Sequence, residues 1–362
     1  MREVARAQAA SGLYAGVGVG VIYSRTWPAH YEGELRELGL PSFLAQTLEA
    51  FGTAQFLWQR WQKPPVGKWA EELAGSCEAS TLVVHFHNAW MSGVFLPLRH
   101  GLSVGTKVVS TFHGVNAALD GRPLRHALHR WMAKRLVRFG ASLTSVDAWN
   151  LELAKKLFGL NPSRFVVIPN GVPASTLEAP PWAGEGEFVV GHLGTISERK
   201  GWQIAAHATR HAAATGRKVR LLIAGSGPEE TAARKLADES NGVVDYLGHV
   251  SKPSVDFLPR LHALAVMSAQ EGLPMSIIEA LAAGVPVLAT AVGGIPVALG
   301  NDRAGWLLQR EPANLCAAII RLYDSPKDHA RLKSGAKGLF AERFNITKII
   351  GQYDAVYRRP EP

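Results

Sequence analysis

Residues 268–294 read Ser-Ala-Gln-Glu-Gly-Leu-Pro-Met-Ser-Ile-Ile-Glu-Ala-Leu-Ala-Ala-Gly-Val-Pro-Val-Leu-Ala-Thr-Ala-Val-Gly-Gly. A strand-like run, Ala263 to Met267, precedes the stretch, and a second, Val285 to Ala289, lies within it. Between them Pro274 suits the first turn of a helix, where its missing N–H has no partner to lose, and Gly284 suits the C-terminal cap. Ile277 with Leu281, and Ile278 with Ala282, repeat at helical spacing and mark the buried face. The reading is strand, loop, short helix, strand. The helix N-terminus follows Glu271-Gly272-Leu273, so free backbone N–H groups and the positive end of the helix dipole face whatever lies there, a setting for a phosphate or for sugar hydroxyls. Glu271 and Glu279 would lie about 80° apart on one continuous helix. The break at Gly272 and Pro274 instead leaves Glu271 in the loop and Glu279 on the helix, where each carboxylate can accept hydrogen bonds from a different set of hydroxyls.

Outward from this segment the same alternation continues. Thr81 to Phe86, Lys107 to Phe112, Phe165 to Pro169, Phe188 to Leu193, Val219 to Ala224 and Val243 to Leu247 are short apolar runs, with helix-length segments such as Gln203 to Thr215 and Glu229 to Ser240 between them. Continuous apolar strands separated by helices imply parallel sheets covered on both faces, hence an α/β chain. The 362 residues suffice for two domains. A Pro/Gly-rich stretch without apolar period, residues 171–187, is the expected hinge between residues 1–170 and 188–340, with a cleft as the default ligand site. The start departs from the pattern of doubly wound domains. Residues 2–12 read as an amphipathic helix and the first strand, Val17 to Tyr23, comes only afterwards, so the usual opening strand and Gly-rich turn are expected to be missing.

Composition narrows the function classes. Apolar residues make up 47% and charged ones 19%, which fits a globular rather than a disordered chain. No run approaches the roughly 18–20 apolar residues of a membrane helix. No signal peptide is legible, and only Cys77 and Cys316 are present, so a cytoplasmic protein without disulfide or thiolate–metal framework is expected. The net charge of +9 is uneven: residues 1–170 hold 18 Lys/Arg against 11 Asp/Glu, and the remainder 21 against 19. Between Gly121 and Ser145 stand Arg122, Arg125, Arg130, Lys134, Arg135 and Arg138 with no acid, interleaved with Leu124, Leu128, Trp131, Leu136 and Phe139. Such a helix is either a core-facing element with a solvated basic side or a surface for an anionic acceptor or membrane. No nucleic-acid recognition module accompanies it, so nucleic acid is not expected as a partner.

The motifs resemble those of the family-4 retaining glycosyltransferases of GT-B architecture, two Rossmann-like doubly wound domains facing a cleft. Glu271 to Glu279 is similar to the family's E-x7-E motif, and Gly194 to Gly201 to its G-R-L-x-x-x-K-G turn. Leu222 to Pro228 is similar to L-x-G-x-G-P, Val167 to Val172 to I-P-N-G-V, Ser110 to Gly114 to T-x-H-G, and Val84 to His87 to V-H-x-H. Residues 341–362, with Tyr353 and Tyr357, resemble the helix that returns to the first domain.

The resemblance implies transfer of a hexose-type sugar, with retention, from a nucleotide-diphosphate sugar to a saccharide or lipid-linked acceptor in polysaccharide synthesis. It implies no cofactor and no metal. Glu271, Lys200 and His113 would be catalytic, Glu279 would hold the ribose, and Gly272, Leu273, Pro274, Met275 and Ser276 would offer amides to sugar and diphosphate. Thr195 stands where the family often has Arg, so that one diphosphate cation is absent or supplied by Arg199, and Val297 stands where it often has Glu. A nucleotide-sugar epimerase of the same architecture and a truncated, non-catalytic binding remnant remain open readings at this point.

Overall fold

The computed structural model of the protein describes residues 141–159 and 165–359 continuously. Of the earlier chain it describes residues 7–8, 10–11, 83–87, 107–113, 127, 130–131 and 133–135, and the backbone path alone of 19–23 and 42–46. The chain divides into two compact units: Met1–Ile168 with Ile349–Pro362, and the single continuous segment Pro169–Lys348.

In the first unit a parallel sheet has the order β3–β4–β5–β6, formed by Val83–Phe86, Lys107–Phe112, Ser142–Ser145 and Phe165–Val167. A separate parallel pair joins β1, Val19–Tyr23, to β2, Ser42–Gln46. Helix α1, Ala148–Phe158, starts where Asp147 caps the Asn150 amide and ends at Gly159 in the left-handed conformation. It buries Ala154 and Phe158 against Phe112 and Leu143.

The second unit carries six parallel strands: β7 Phe188–Leu193, β8 Val219–Ala224, β9 Val244–Gly248, β10 Ala263–Val266, β11 Val287–Thr290 and β12 Gly305–Leu308. Their spatial order is β12–β11–β10–β7–β8–β9. The first strand in sequence, β7, therefore lies in the middle beside the fourth, β10, and the order reverses between them. Helices α2, Trp202–Ala214, and α3, Glu230–Asp238, follow β7 and β8. Helices α4, Met275–Ala282, and α5, Ile295–Leu299, follow β10 and β11. Helices α6, Pro312–Asp324, and α7, Pro326–Leu339, complete the unit, and α6 packs along α2 while α7 packs against α4. In such a sheet a ligand crevice opens beyond the carboxyl ends of the strands where the order switches. Here that point is the pair β7 and β10.

Residues 171–187, expected as a hinge, fall within this second unit. Trp182 is buried in its core, with its indole N–H donated to the Tyr323 carbonyl at 2.8 Å and its ring edge-on to Phe188. Helix α8, Ile346–Arg358, holds the boundary at residue 348, and its Tyr353 and Tyr357 belong to the first unit. No helix among the described residues is long and apolar enough to cross a membrane.

Candidate functional site

The loops leaving β7 and β10 are laced together. After β7 the chain makes one tight turn, Glu198–Lys200, and Gly201 follows at φ +72° before α2 begins. A side chain on Gly201 would bring its Cβ within 2.1 Å of the Met267 carbonyl oxygen, so only glycine permits this approach of the two loops. Across the gap the Ala269 amide donates to the Arg199 carbonyl at 2.8 Å, and the Arg199 guanidinium donates to the Gln270 carbonyl at 3.1 Å. The Lys200 ammonium donates to Glu271 Oε1 at 2.5 Å, and the Ser268 hydroxyl donates to the same oxygen at 2.7 Å. The Lys200 and Glu271 side chains keep 21% and 10% of their surface, so the pair is shielded but still reachable.

Glu271 lies in the loop and Glu279 one turn into α4, on opposite sides of the Gly272–Pro274 break. Glu279 is half-buried. The loop is clamped from β11. Gly293, at φ +57°, would drive a Cβ to 1.9 Å from the Glu271 carbonyl, and the Gly294 amide donates to the Gly272 carbonyl at 2.8 Å. Leu273 and Pro274 are buried and Met275 exposed, while Gly272 and Ser276 are half-buried; Asn170 Nδ2 reaches the Leu273 carbonyl. Thr195 and Arg199 are exposed on the β7 side. His192, on β7, is buried, and burial together with the nearby Lys200 charge holds its pKa at about 4, so it is neutral.

Residues that the sequence reading did not single out complete the arrangement. Ser268 shares the Glu271 oxygen. Glu229, in the loop after β8, accepts from the Glu198 amide and from the side chains of Trp202 and Gln203. Arg310, after β12, donates to the Met267 and Glu198 carbonyls. Their partners lie between 3 and 112 positions away in sequence, and no local pattern announces most of them.

In the first unit His113 follows β4, and its Nε2 stands 3.1 Å from His87 Nδ1. Burial, with the charges of His85 and His113, keeps His87 well below the usual imidazole range. His85 lies inside a polar chain, 2.7 Å from the Tyr357 hydroxyl on one side and 2.7 Å from Thr111 on the other, and Thr111 continues to Thr144 at 2.6 Å. Burial first, and then the His113 charge, push its pKa down to about 3.

Of the basic segment, Arg122, Arg125 and Arg138 lie outside the described residues. Arg130 and Lys134 are helical and exposed, Arg135 is half-buried with its guanidinium 5.2 Å from the Trp131 ring centre, and Trp131 is 46% exposed while Ala133 is buried. Among the described residues there is no group of three or more His, Cys, Asp or Glu side chains arranged to hold a metal ion.

Comparison with known proteins bears on this geometry. The model of the glycosyl transferases group 1 matches residues 187–325, and that of glycosyltransferase family 4 matches residues 2–176, so the two tile most of both units. The chain belongs to glycosyltransferase family 4. A 2-deoxystreptamine glucosyltransferase of Streptomyces kanamyceticus is 28% identical over 66% of the chain and 64% of its own length. The glycogen synthase of Mycobacterium tuberculosis (strain ATCC 25618 / H37Rv) is 26% identical over 77% of the chain and 71% of its own length. The chain thus spans about two thirds of the length of these curated relatives. Among solved structures, Anabaena HepE in complex with UDP and glucose superposes with a TM-score of 0.75 at 17% identity, over 98% of this chain and 94% of that one. Sucrose-phosphate synthase from Thermosynechococcus elongatus gives 0.70 at 19% identity, over 99% and 91%. At these identities the likeness establishes the GT-B fold.

Proposed function

We propose that this family-4 chain is a retaining glycosyltransferase that takes a hexose-type sugar from a nucleoside-diphosphate donor bound by its second unit. One observation carries the reading: the Lys200–Glu271 pair stands where the sheet order reverses, beside the N-terminus of α4. A cation and a row of helix amides suit a diphosphate leaving group, because they stabilise negative charge as it develops and require no proton transfer. Glu271 then accepts from donor-sugar hydroxyls, Glu279 from the ribose, and the amides of Gly272 to Ser276 hold the sugar and phosphates. Thr195 and Arg199 border the same site. UDP is the first nucleotide to try, since HepE binds it on the same fold.

The reaction is front-face substitution. The bond from the anomeric carbon to the leaving phosphate oxygen breaks, the acceptor hydroxyl bonds to that carbon from the same face, and its proton passes to the leaving phosphate. No metal or cofactor is assigned. His113 is the first unit's proposed catalytic contribution. A thermal-shift screen of nucleoside diphosphates and their sugars tests the donor assignment. A rise in Tm of several degrees with one nucleotide family is expected, and no shift with any of them at millimolar concentration would exclude it.

The acceptor side is proposed to meet an anionic, lipid-linked saccharide at the inner face of a membrane, using the basic segment around Arg130 and Lys134. Exposure of these two cations beside Trp131 supports this. Sedimentation with vesicles containing a third phosphatidylglycerol should carry the protein down at 50 mM salt and release it at 500 mM; equal recovery with neutral vesicles would remove the proposal.

A further inference from the structure

Both backbone polar groups of Glu198, its N–H and its C=O, are held by charged side chains of opposite sign, brought from two different strand ends. The Glu198 amide donates to Glu229 Oε1 at 2.9 Å. The other carboxylate oxygen of Glu229 accepts from Trp202 Nε1 at 2.7 Å and Gln203 Nε2 at 2.6 Å. The Glu198 carbonyl accepts from Arg310 Nη2 at 2.6 Å, while Arg310 Nε donates to the Met267 carbonyl at 3.0 Å. Glu198, Trp202 and Gln203 bracket Lys200, and Met267 opens the loop that carries Ser268 and Glu271. One guanidinium therefore spans the turn that bears the cation and the loop that bears its carboxylate.

We propose that Arg310, with Glu229 as its counterpart, is a positioning residue that sets Lys200 against Glu271 and so fixes the cation presented to the donor diphosphate; the functional half of this rests on the reading above. A planar guanidinium suits the task, since its Nε and Nη2 donate in one fixed plane to two carbonyls. A lysine at 310 reaches one carbonyl or the other and cannot hold the two loops in register. Glu229 completes the frame from below: it takes three donors, all within residues 198–203, and it reaches them because its own amide is bonded to the Ile196 carbonyl at 3.1 Å.

The test reads the position of Lys200 directly. Reductive methylation followed by mass spectrometry gives the reaction rate of each lysine, and in the wild type the bond to Glu271 should slow Lys200. In Arg310→Gln and in Glu229→Gln the Lys200 rate is expected to rise several-fold, toward that of Glu271→Gln, while Lys218, Lys235 and Lys327 react as before. Arg310→Lys should give most of the same rise, which separates loss of the bridge from loss of the charge. A Lys200 rate unchanged in Arg310→Gln and Arg310→Lys overturns the proposal. So does a rise shared by all lysines of the second unit, which would mean general loosening. If UDP binds the wild type, its Kd should weaken about tenfold in Arg310→Gln with the Tm within a few degrees of wild type. Failure of the wild type to bind any nucleotide would count against the donor reading alone, since the methylation result stands without it.

Discussion

Lys200→Met and Glu271→Gln should each lower kcat/KM for sugar transfer by about 10²–10³, the usual loss when one preorganised charge-stabilising group is removed. The two variants fail for different reasons. On the proposed reading, Lys200→Met leaves the donor's diphosphate oxygens facing an apolar stem, so the barrier to departure should rise and kcat should change more than the donor KM. Glu271→Gln keeps the shape of the loop, and Ser268 can still donate to the amide oxygen, but the carboxylate proposed to accept from sugar hydroxyls is gone and Lys200 loses its counter-charge. Folding should survive both. The pair is partly screened by solvent, with exposures of 21% and 10%, and breaking one bonded partner of such a pair costs about 1–3 kcal/mol. Steady-state kinetics beside thermal denaturation separate the effects. Turnover near the wild-type value in either variant would sink the assignment of this pair.

A second large effect concerns stability at mildly acid pH. His192 and His262 are 3% and 9% exposed, and burial holds both near pKa 4; for His192 the Lys200 charge adds to this, and for His262 the charges of His329 and Lys333. His329 is 1% exposed and also lowered, mainly by burial. Unfolded histidine titrates near 6.5. Between those values the unfolded chain binds more protons than the native one, so stability is complete above pH 6.5 and is lost as pH falls toward 4. His192 and His262 should each contribute a loss of about 2–3 kcal/mol between pH 7 and 4.5. The carboxylates with lowered pKa, Glu178, Glu229, Asp324 and Glu342, act mainly at still lower pH, while Asp147 in the first unit, raised by burial, acts against the histidines. In the first unit His85 and His87 act in the same direction. Urea unfolding at pH 7 and 4.5 measures the difference. His262→Asn keeps an acceptor for the Val189 amide, which His262 Nδ1 accepts from at 2.9 Å, and should flatten the slope. Equal unfolding free energies at the two pH values would refute the prediction.

The apolar strands were legible because burial on both faces writes itself as unbroken runs: Lys107–Phe112, Phe188–Leu193 and Val219–Ala224 stand where the sequence places them. Three strands escaped that rule, Ser42–Gln46 among them. Three of the four residues of Ser142–Ser145 are polar, and its Thr144 is buried through a hydroxyl bond to Thr111 rather than by apolar packing. Gly305–Leu308 opens on a glycine whose Cβ would meet the Val287 carbonyl at 1.8 Å, a constraint invisible without the neighbouring strand. The run from Val285 begins as a strand only at Val287, since Pro286 can accept from Leu264 but has no N–H to donate.

The site divides in the same way. Glu271, Lys200 and the α4 N-terminus are carried by short motifs with recognisable spacing. Glu229 and Arg310 are not: Arg310 binds backbone carbonyls, which leave no signature at the positions they come from, and the partners of Glu229 lie 26 to 31 positions away in no recognisable motif. The strand order that brings β7 beside β10 is likewise a property of the folded sheet. Sequence order alone separates Lys200 from Glu271 by 71 positions.

The two units also differ in how they are threaded. Pro169–Lys348 is one uninterrupted piece, whereas the first unit is written in two, Met1–Ile168 and Ile349–Pro362. The second piece supplies Tyr357, whose hydroxyl meets His85, and Lys107 donates to the carbonyls of Tyr357 and Arg359. On a ribosome these residues are made only after all of Pro169–Lys348. The chain of the second unit is thus made whole before the first unit receives residues 349–362, so the unit that begins first is completed last.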